Sequence, residues 1–502
     1  MRIQYIHINQ SAYRDKVYAC WMGKNIGGTM GTPFENKPGP LAVTGYTTPK
    51  GEPLPNDDLD LQLVWLRAME EVGPLQLNPN HLAWYWTRYI YPDWNEYGIS
   101  KNNLKIGFLP PMSGELNNKA WRNSNGAWIR SEIWACLAPG CPDIAVKYAV
   151  MDACVDHGLG EGTTAEIFTA ALESIAFVET DIRVAIEKAL EYIPADSRVA
   201  TTIRLVMEAY DKGADWPDAR QAVVDFNADW GAFQAPGNLG FVVLGLLYGD
   251  GDFLQSLLYA INCGDDTDCT AATVGAFLGI LYGTKGIPAD LAEYIGDRIL
   301  TMSIDRSADW AKIFPETGTD LSERVIRLMP VVMQAHRVWL TAVDGEKEGQ
   351  LYLEALPKAH PVHPCRSTLA EFMAQPPYSF SVENHGIIAN IHYEDEPYIR
   401  AGGKLTLHVD LQNPQYDAQW LTFNVHTPEG WQADYQSSVC FLHRSSCSTG
   451  PKGLGHVTGR TTWSVTFSLP EGVKADAVNR IPVTVDILGY PTPLVLPIVV
   501  LG

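Results

Sequence analysis

The run Thr270-Ala-Ala-Thr-Val-Gly-Ala-Phe-Leu-Gly-Ile-Leu-Tyr-Gly283 limits what this chain can fold into more than any other stretch. Its Ala and Gly residues let another backbone come close, so it reads as a helix packed tightly by its neighbours. Directly before it stands Ile261-Asn-Cys-Gly-Asp-Asp-Thr-Asp-Cys269, which puts Asp265, Asp266 and Asp268 at a helix N-terminus. One carboxylate there is explained by capping and by the positive end of the helix dipole. Three exceed what a cap needs, and like charges so close raise one another's pKa. A hard divalent cation removes that cost, and oxygen ligands suit Mg²⁺, Mn²⁺ or Ca²⁺. On these residues alone, a metal-binding turn and a plain capping turn both stand.

A second cluster shifts the balance towards metal. Pro55-Asn-Asp-Asp-Leu-Asp60 again opens an apolar helix, Leu61-Gln-Leu-Val-Trp-Leu-Arg-Ala-Met69. Two Asp-rich helix starts far apart in sequence can meet and build one polynuclear site inside a helical bundle.

The 502 residues suffice for two or more domains, and 46% apolar with 19% charged residues indicates a folded chain. A formal net charge of -21 argues against nucleic acid as a ligand, because phosphates need a basic surface. The first residues lack the apolar core of a signal peptide, and no run is long enough to span a bilayer, so a cytoplasmic, non-membrane protein is expected. The nine Cys form no C-x-x-C pair, which excludes a zinc ribbon or a dithiol redox motif. Cys440 and Cys447 flank a short loop and could pair in an oxidising setting, but idle thiols are the simpler expectation.

Residues 12–31 read as a helix with glycines at 23, 27, 28 and 31, favouring close packing over a phosphate loop. Glu35 follows a Thr-Pro-Phe turn as a lone carboxylate. Residues 81–97 carry Trp84, Tyr85, Trp86, Tyr89, Tyr91, Trp94 and Tyr97, which either stack on sugars or bases or fill a core. Residues 98–127 are polar and end in the turn Asn123-Ser-Asn-Gly-Ala127. From 128 to about 345 the pattern is helical nearly throughout, which excludes a parallel sheet. Between two of these helices, the glycine-punctuated turn Asp156-His-Gly-Leu-Gly-Glu-Gly162 offers His157 and Glu161 as candidate substrate contacts.

Past a linker-like stretch, Lys358–Cys365, roughly seven short runs alternate in the manner of half-buried strands, as at Leu405, Leu407, Val409 and Leu411. The expected architecture is multidomain. An all-α domain spans 1–357, a linker 358–375, and a small all-β immunoglobulin-like sandwich 376–502. Trp420, Trp431 and Trp463 are expected in the core of that sandwich.

Four pieces together carry a resemblance: Gly23-Lys-Asn-Ile-Gly-Gly-Thr-Met-Gly-Thr-Pro-Phe-Glu35, Asn56-Asp-Asp58, Ser124-Asn-Gly-Ala127 and Gly264-Asp-Asp-Thr-Asp268. In order and spacing, residues 12–345 resemble the all-helical ADP-ribosylglycohydrolase superfamily. That resemblance implies one or two divalent ions, Mg²⁺ first, between the two Asp-rich turns. It implies Asn56, Asp57, Asp58, Asp266 and Asp268 as metal ligands, with Glu35 and Asp58 as candidate catalytic residues. Asn125, Gly126 and Ala127, with Asp265, His157 and Glu161, become candidate substrate contacts. Two positions depart from the family pattern. Asn56 stands where Thr or Ser is usual, and Cys269 where Thr or Ser follows the second Asp-Thr-Asp. Trp128 adds bulk beside the loop expected to meet phosphate.

The function expected from the resemblance is metal-dependent hydrolysis of the anomeric bond of an ADP-ribosyl group. The appended β region and the aromatic segment support an alternative, an exo-acting furanosidase on a carbohydrate lacking ADP. A catalytically silent sugar- or nucleotide-binding protein is a third reading. In each case the partner is a small glycoside or an ADP-ribosylated substrate. Monomer and homo-oligomer are equally open.

Overall fold

The computed structural model describes residues 4–304, 312–336, 338–342, 350–355, 369–384, 386–413, 419–441 and 459–502. The chain divides into two compact units, Met1–Gly98 with Asn118–His360, and Ile99–Asn117 with Pro361–Gly502. Residues 358–368 of the expected linker, and Cys447, lie outside the described residues.

The first unit is helical from about residue 10 to 335. Its central pair is Gln10–Gly31 and Thr267–Tyr282. Asn9 caps the first of these, its side chain accepting from the Ser11 and Ala12 amides. The two helices meet backbone to backbone. A Cβ on Gly23 would fall 2.1 Å from the Gly275 carbonyl oxygen, one on Gly27 2.1 Å from that of Ala271, and one on Gly31 2.3 Å from that of Thr267. Only residues without bulk permit such contact, which accounts for the small-residue composition of both helices. The contact runs the length of the pair and ends at the second Asp-rich turn, so the chain leaving Gly31 is delivered beside Asp266 and Asp268. A short pairing of Lys37 with Asp265 and Pro38 with Gly264 fastens it there.

The Asp57–Val72 helix is capped by Asn56, and the Pro79–Tyr89 helix by Asn78 with Pro at its first position. Their aromatic residues interlock, Trp65 stacking on Trp86 with centroids 5.9 Å apart. The helices expected from periodicity between 143 and 262 are present, for example Pro142–His157, Glu161–Ala176 and Arg198–Asp211. Residues 98–127, read from the sequence only as polar with a turn at their end, carry helical turns at Asn95–Ile106 and Met112–Glu115. One feature differs from the expectation. The first unit also contains a three-stranded antiparallel sheet, Gln4–Asn9 beside Gln350–Ala355 beside Val338–Ala342. Its strands come from opposite ends of that unit, a pairing that periodicity within one window cannot reveal.

The C-terminal region of the second unit is all-β. One sheet runs in the order Gln432–Tyr435, Gly459–Ser468, Lys404–Asn413, Ile387–Tyr393, Ser379–Asn384, and another Ser438–Phe441, Gln419–Val425, Val478–Ile487, Leu494–Leu501, all antiparallel. Alternation puts Leu405, Leu407, Val409 and Leu411 of the first sheet and Ile481, Val483, Val485 and Ile487 of the second into one apolar core. Trp431 and Trp463 are buried as expected. Trp420 is not, being 58% exposed, because it occupies an outward position of its alternating strand.

Among the described residues, no helix is long and apolar enough to cross a membrane.

Candidate active site

The two Asp-rich turns meet. Asn56 caps its helix by accepting from the Asp58 amide at 2.8 Å, and this turns Asp57 and Asp58 towards the second turn. Asp58 is fully buried, and its Oδ1 accepts from the Cys269 thiol at 3.3 Å. Ligand-type atoms of Asp58, Asp268 and Cys269 lie within 4.8 Å of one another, and so do those of Glu35, Asp266 and Asp268. Asp268 belongs to both groups.

These acids fit a divalent cation on chemical grounds. Asp58 Oδ2, Asp266 Oδ1 and Asp268 Oδ1 are buried oxygens without a hydrogen-bond donor. Buried carboxylate oxygens are costly in that condition unless protonated or bound to a cation. Burial pushes the carboxyls of Asp58 and Asp268 well above the usual range, and the neighbouring acids add to it. Asp266 is pushed up to about 8, first by burial and then by Asp58. Glu35, on the exposed side, is also raised, by desolvation and by Asp57. The donor sets differ: Glu35, Asp266 and Asp268 offer only hard oxygen, whereas Asp58, Asp268 and Cys269 include sulfur. Burial raises the Cys269 thiol well above its ordinary value, so it stands as a neutral donor to Asp58.

A cavity of about 390 Å³ opens onto the cluster. Glu35, Asp57, Asn125, Gly126, Asp266 and Asp268 line it, as do Trp94, Glu96, Tyr97 and Phe233. Tyr97 donates to Asp57 Oδ2 at 3.2 Å. Asn125 donates from Nδ2 to Asp266 Oδ2 at 2.7 Å and accepts from Trp128 Nε1 at 3.0 Å, so it fixes the orientation of the Asp266 carboxylate. Gly126 has no room for a side chain, since a Cβ there would lie 2.2 Å from Glu96 Oε1. Trp128 is fully buried and does not line the cavity, so its bulk is spent in the core.

Several candidates read from the sequence have other employment. Asn56 spends its oxygen on the helix cap. Asp58 and Ala127 are buried and do not line the cavity. Asp265, at φ +65°, turns away and accepts from the Phe233 amide at 3.0 Å and from Asn238 at 3.0 Å. His157 is buried, with Ser124 Oγ 3.2 Å from Nε2 and Asp156 Oδ1 3.0 Å from Nδ1. Glu161 accepts from the Arg198 and Val199 amides, capping a neighbouring helix.

Beneath the cavity lies a charged core that sequence reasoning passed over. Lys24, fully buried, pairs with Glu132 at 2.6 Å and stands 4.0 Å from Asp58 Oδ2. Gln62 joins them, donating to Glu132 Oε2 at 2.7 Å. Arg130 pairs with Asp152 and Asp156 and donates to the Gly126 carbonyl. Burial alone would raise Asp156, but Arg130 and His157 outweigh it and hold it at about 2. Glu96 is buried at the cavity wall and raised by desolvation. The one sequence signal for this core was charged residues inside otherwise apolar helices, as Lys24 in the glycine-rich run.

The profile of the ADP-ribosylglycohydrolase family matches residues 9–321. No curated protein matches the chain. Among solved structures, one titled as an ADP-ribosylglycohydrolase-related protein complex is 18% identical, covering 65% of this chain and 99% of its own, with a TM-score of 0.44. A FixG-related protein from Vibrio parahaemolyticus is 7% identical over 23% of this chain and 95% of its own, with a TM-score of 0.17. The yeast GGA1 GAE domain is 8% identical over 25% of this chain and 97% of its own, with a TM-score of 0.15. The profile spans more than half of the sequence, and its span holds both Asp-rich turns, Glu35 and the Asn125 loop: the chain belongs to the ADP-ribosylglycohydrolase family.

Proposed function

We propose that the protein is a divalent-metal-dependent glycoside hydrolase that cleaves the anomeric bond of an ADP-ribosyl group. The observation that carries this reading is the convergence of Glu35, Asp58, Asp266 and Asp268 around buried oxygens that lack donors, at a cavity large enough for a sugar. Asp57, Asp58, Asp266 and Asp268 would hold one or two ions, Mg²⁺ or Mn²⁺ before Ca²⁺, with Asn56 fixing the first turn by its cap. A bound cation supplies orientation of a furanose diol and a lowered pKa for a coordinated hydroxyl or water. The remaining work belongs to side chains. Glu35 is exposed at the cavity, desolvation and the Asp57 charge raise its pKa, and it serves as acid or base at the scissile oxygen. Tyr97 orients Asp57, and Asn125 orients Asp266. Trp94 and Tyr97 offer apolar faces to the sugar ring. Breaking the bond builds oxocarbenium character, which the surrounding carboxylates favour electrostatically.

One observation favours a second reading. The cavity lining includes five carboxylates, of Glu35, Asp57, Glu96, Asp266 and Asp268, and no Lys or Arg. A diphosphate would meet no cationic side chain there, whereas a neutral furanoside would meet no repulsion. An exo-acting furanosidase on a carbohydrate without ADP is therefore the alternative. On either reading the helical unit is catalytic, and we take the two C-terminal sheets as faces of an immunoglobulin-like sandwich that accompanies it.

Purified protein with Mg²⁺, Mn²⁺ or Ca²⁺, and with EDTA, should be assayed on ADP-ribosyl-Arg, ADP-ribosyl-Ser and O-acetyl-ADP-ribose beside nitrophenyl furanosides and pyranosides. EDTA-sensitive release of ADP-ribose supports the first reading, and release of nitrophenol from a furanoside alone supports the second. Intact metal content and hydrolysis in the Asp57→Asn/Asp266→Asn double variant would overturn both.

A further inference from the structure

A second cavity, of about 460 Å³, lies on the other side of the Asp265–Asp266 turn. Its walls are mainly apolar, from Pro38, Val223, Val224, Ala228 and Phe241. Arg220 also lines it and is only 7% exposed. The Nε of Arg220 donates to the Cys263 carbonyl at 2.7 Å. Neither of its terminal NH₂ groups has a hydrogen bond or an ion pair among the described residues. Gly39 makes the position tight, since a Cβ there would stand 2.9 Å from Arg220 Nε. Nε is thus held from behind, and the guanidinium carbon lies 5.9 Å from the centre of the Phe241 ring, which also lines the cavity.

A buried guanidinium normally has an anionic partner, because burying an unpaired charge is costly. Asp265 is close enough for its charge to favour the guanidinium, but its carboxylate accepts from the Phe233 amide and Asn238, and no hydrogen bond or ion pair joins it to Arg220. Lys37, also in the lining, adds a second positive charge, with its Nζ donating to the Pro33 carbonyl.

We infer that the Arg220 cavity is a binding site for a small organic carboxylate, whose carboxyl group pairs with the terminal NH₂ groups of Arg220 and whose apolar body fills the space between Val224 and Phe241. The guanidinium edge matches a carboxylate in bidentate geometry. The mainly apolar walls favour an organic anion over a strongly hydrated inorganic one. This site does not depend on the glycosidase reading. It adjoins the carboxylate cluster at three places, where Glu35, Phe233 and Asp266 face one cavity and their neighbours Asn36, Gln234 and Asp265 the other.

The test is calorimetric titration of the full chain with benzoate, with hexanoate and with inorganic phosphate. Two variants accompany it. Arg220→Gln removes the charge. Val224→Glu keeps the Arg220 bond to Cys263 and places a competing carboxylate in the cavity, so it guards against a folding defect in the first variant. Benzoate or hexanoate is expected to bind with one-to-one stoichiometry, and both variants to weaken it roughly tenfold or more. Binding unchanged in Val224→Glu would overturn the proposal. So would phosphate binding more tightly than either carboxylate, or no heat of binding at millimolar carboxylate. Loss of glycoside hydrolysis has no bearing on these readouts, so failure of this site and failure of the proposed activity are told apart.

Discussion

The thiol of Cys269 donates to Oδ1 of Asp58 at 3.3 Å, joining the two Asp-rich turns across a separation of 211 residues. A Thr or Ser hydroxyl at that position would be a hard oxygen beside the proposed cation. The thiol is a soft atom held neutral by burial. It engages one oxygen of Asp58 and leaves the other without a hydrogen bond, 4.0 Å from the Lys24 ammonium.

Cys269→Ser should therefore raise Mg²⁺ affinity. Cys269→Ala should lower it by about tenfold, the scale of losing a group that orients a ligand. Isothermal titration with Mg²⁺ and Mn²⁺ reads both. Equal affinities in all three proteins would mean that Cys269 neither orients Asp58 nor touches the ion.

The acid cluster makes stability depend on pH in a defined direction. Asp266 has a folded pKa of about 8 against an ordinary 3.8, so the folded state holds its proton where the unfolded state has released it. Its contribution is fully present below the ordinary value and is lost as pH rises through about 8. The metal-free protein should melt at falling temperatures from about pH 4 to about pH 8, and added Mg²⁺ or Mn²⁺ should restore more at the upper end. Thermal melts with and without EDTA would show it, and a metal-free protein more stable at the upper end would refute it.

Lys24 is the buried counter-charge of the site, paired with Glu132 and facing Asp58. Lys24→Met removes it and leaves two buried carboxylates facing each other. The cost should be about 3–5 kcal/mol in urea unfolding, as for other broken buried pairs. The double change Lys24→Met with Glu132→Leu should recover much of it, and a single variant with unchanged stability would show that the pair is idle.

Packing of the first helix against Thr267–Tyr282 sets where Glu35 arrives. Gly275→Ala forces a methyl against the Gly23 backbone, since a Cβ there would sit 2.2 Å from the Gly23 carbonyl oxygen. Destabilisation of about 1–3 kcal/mol or more is expected. Activity measured well below the melting temperature should fall too, because the helices part at the end that carries Glu35 and Asp268. A stable variant with full activity would separate the packing from the site.

Trp94 is 44% exposed and lines the cavity, and the proposed function has it stack on substrate. Trp94→Ala should raise KM several-fold, the worth of about 0.5–1.5 kcal/mol for an aromatic contact, with kcat little changed. A fall in kcat alone would instead assign Trp94 to holding Glu96 and Tyr97.

Local chemistry was enough to read the helical character of residues 10–335, the alternating strands beyond 386 and the two Asp-rich helix starts. Capping, periodicity and charge repulsion act within a few residues and leave their marks in the sequence. What only the tertiary structure decided is which oxygens face one another. Asp265 and Asp266 are adjacent in the chain, yet the left-handed backbone at Asp265 sends one carboxylate to Phe233 and Asn238 and the other to the cluster. Glu35 reads as a lone carboxylate until the packing of Gly23 and Gly27 on the Thr267–Tyr282 helix delivers it to Asp268. His157 and Glu161 look like pocket residues in their glycine-rich turn, but nearby polar groups claim them. Lys24, Arg130 and Arg220 are charges that become meaningful once burial removes water and each must find a partner, and that demand is set by long-range packing that no sequence window contains.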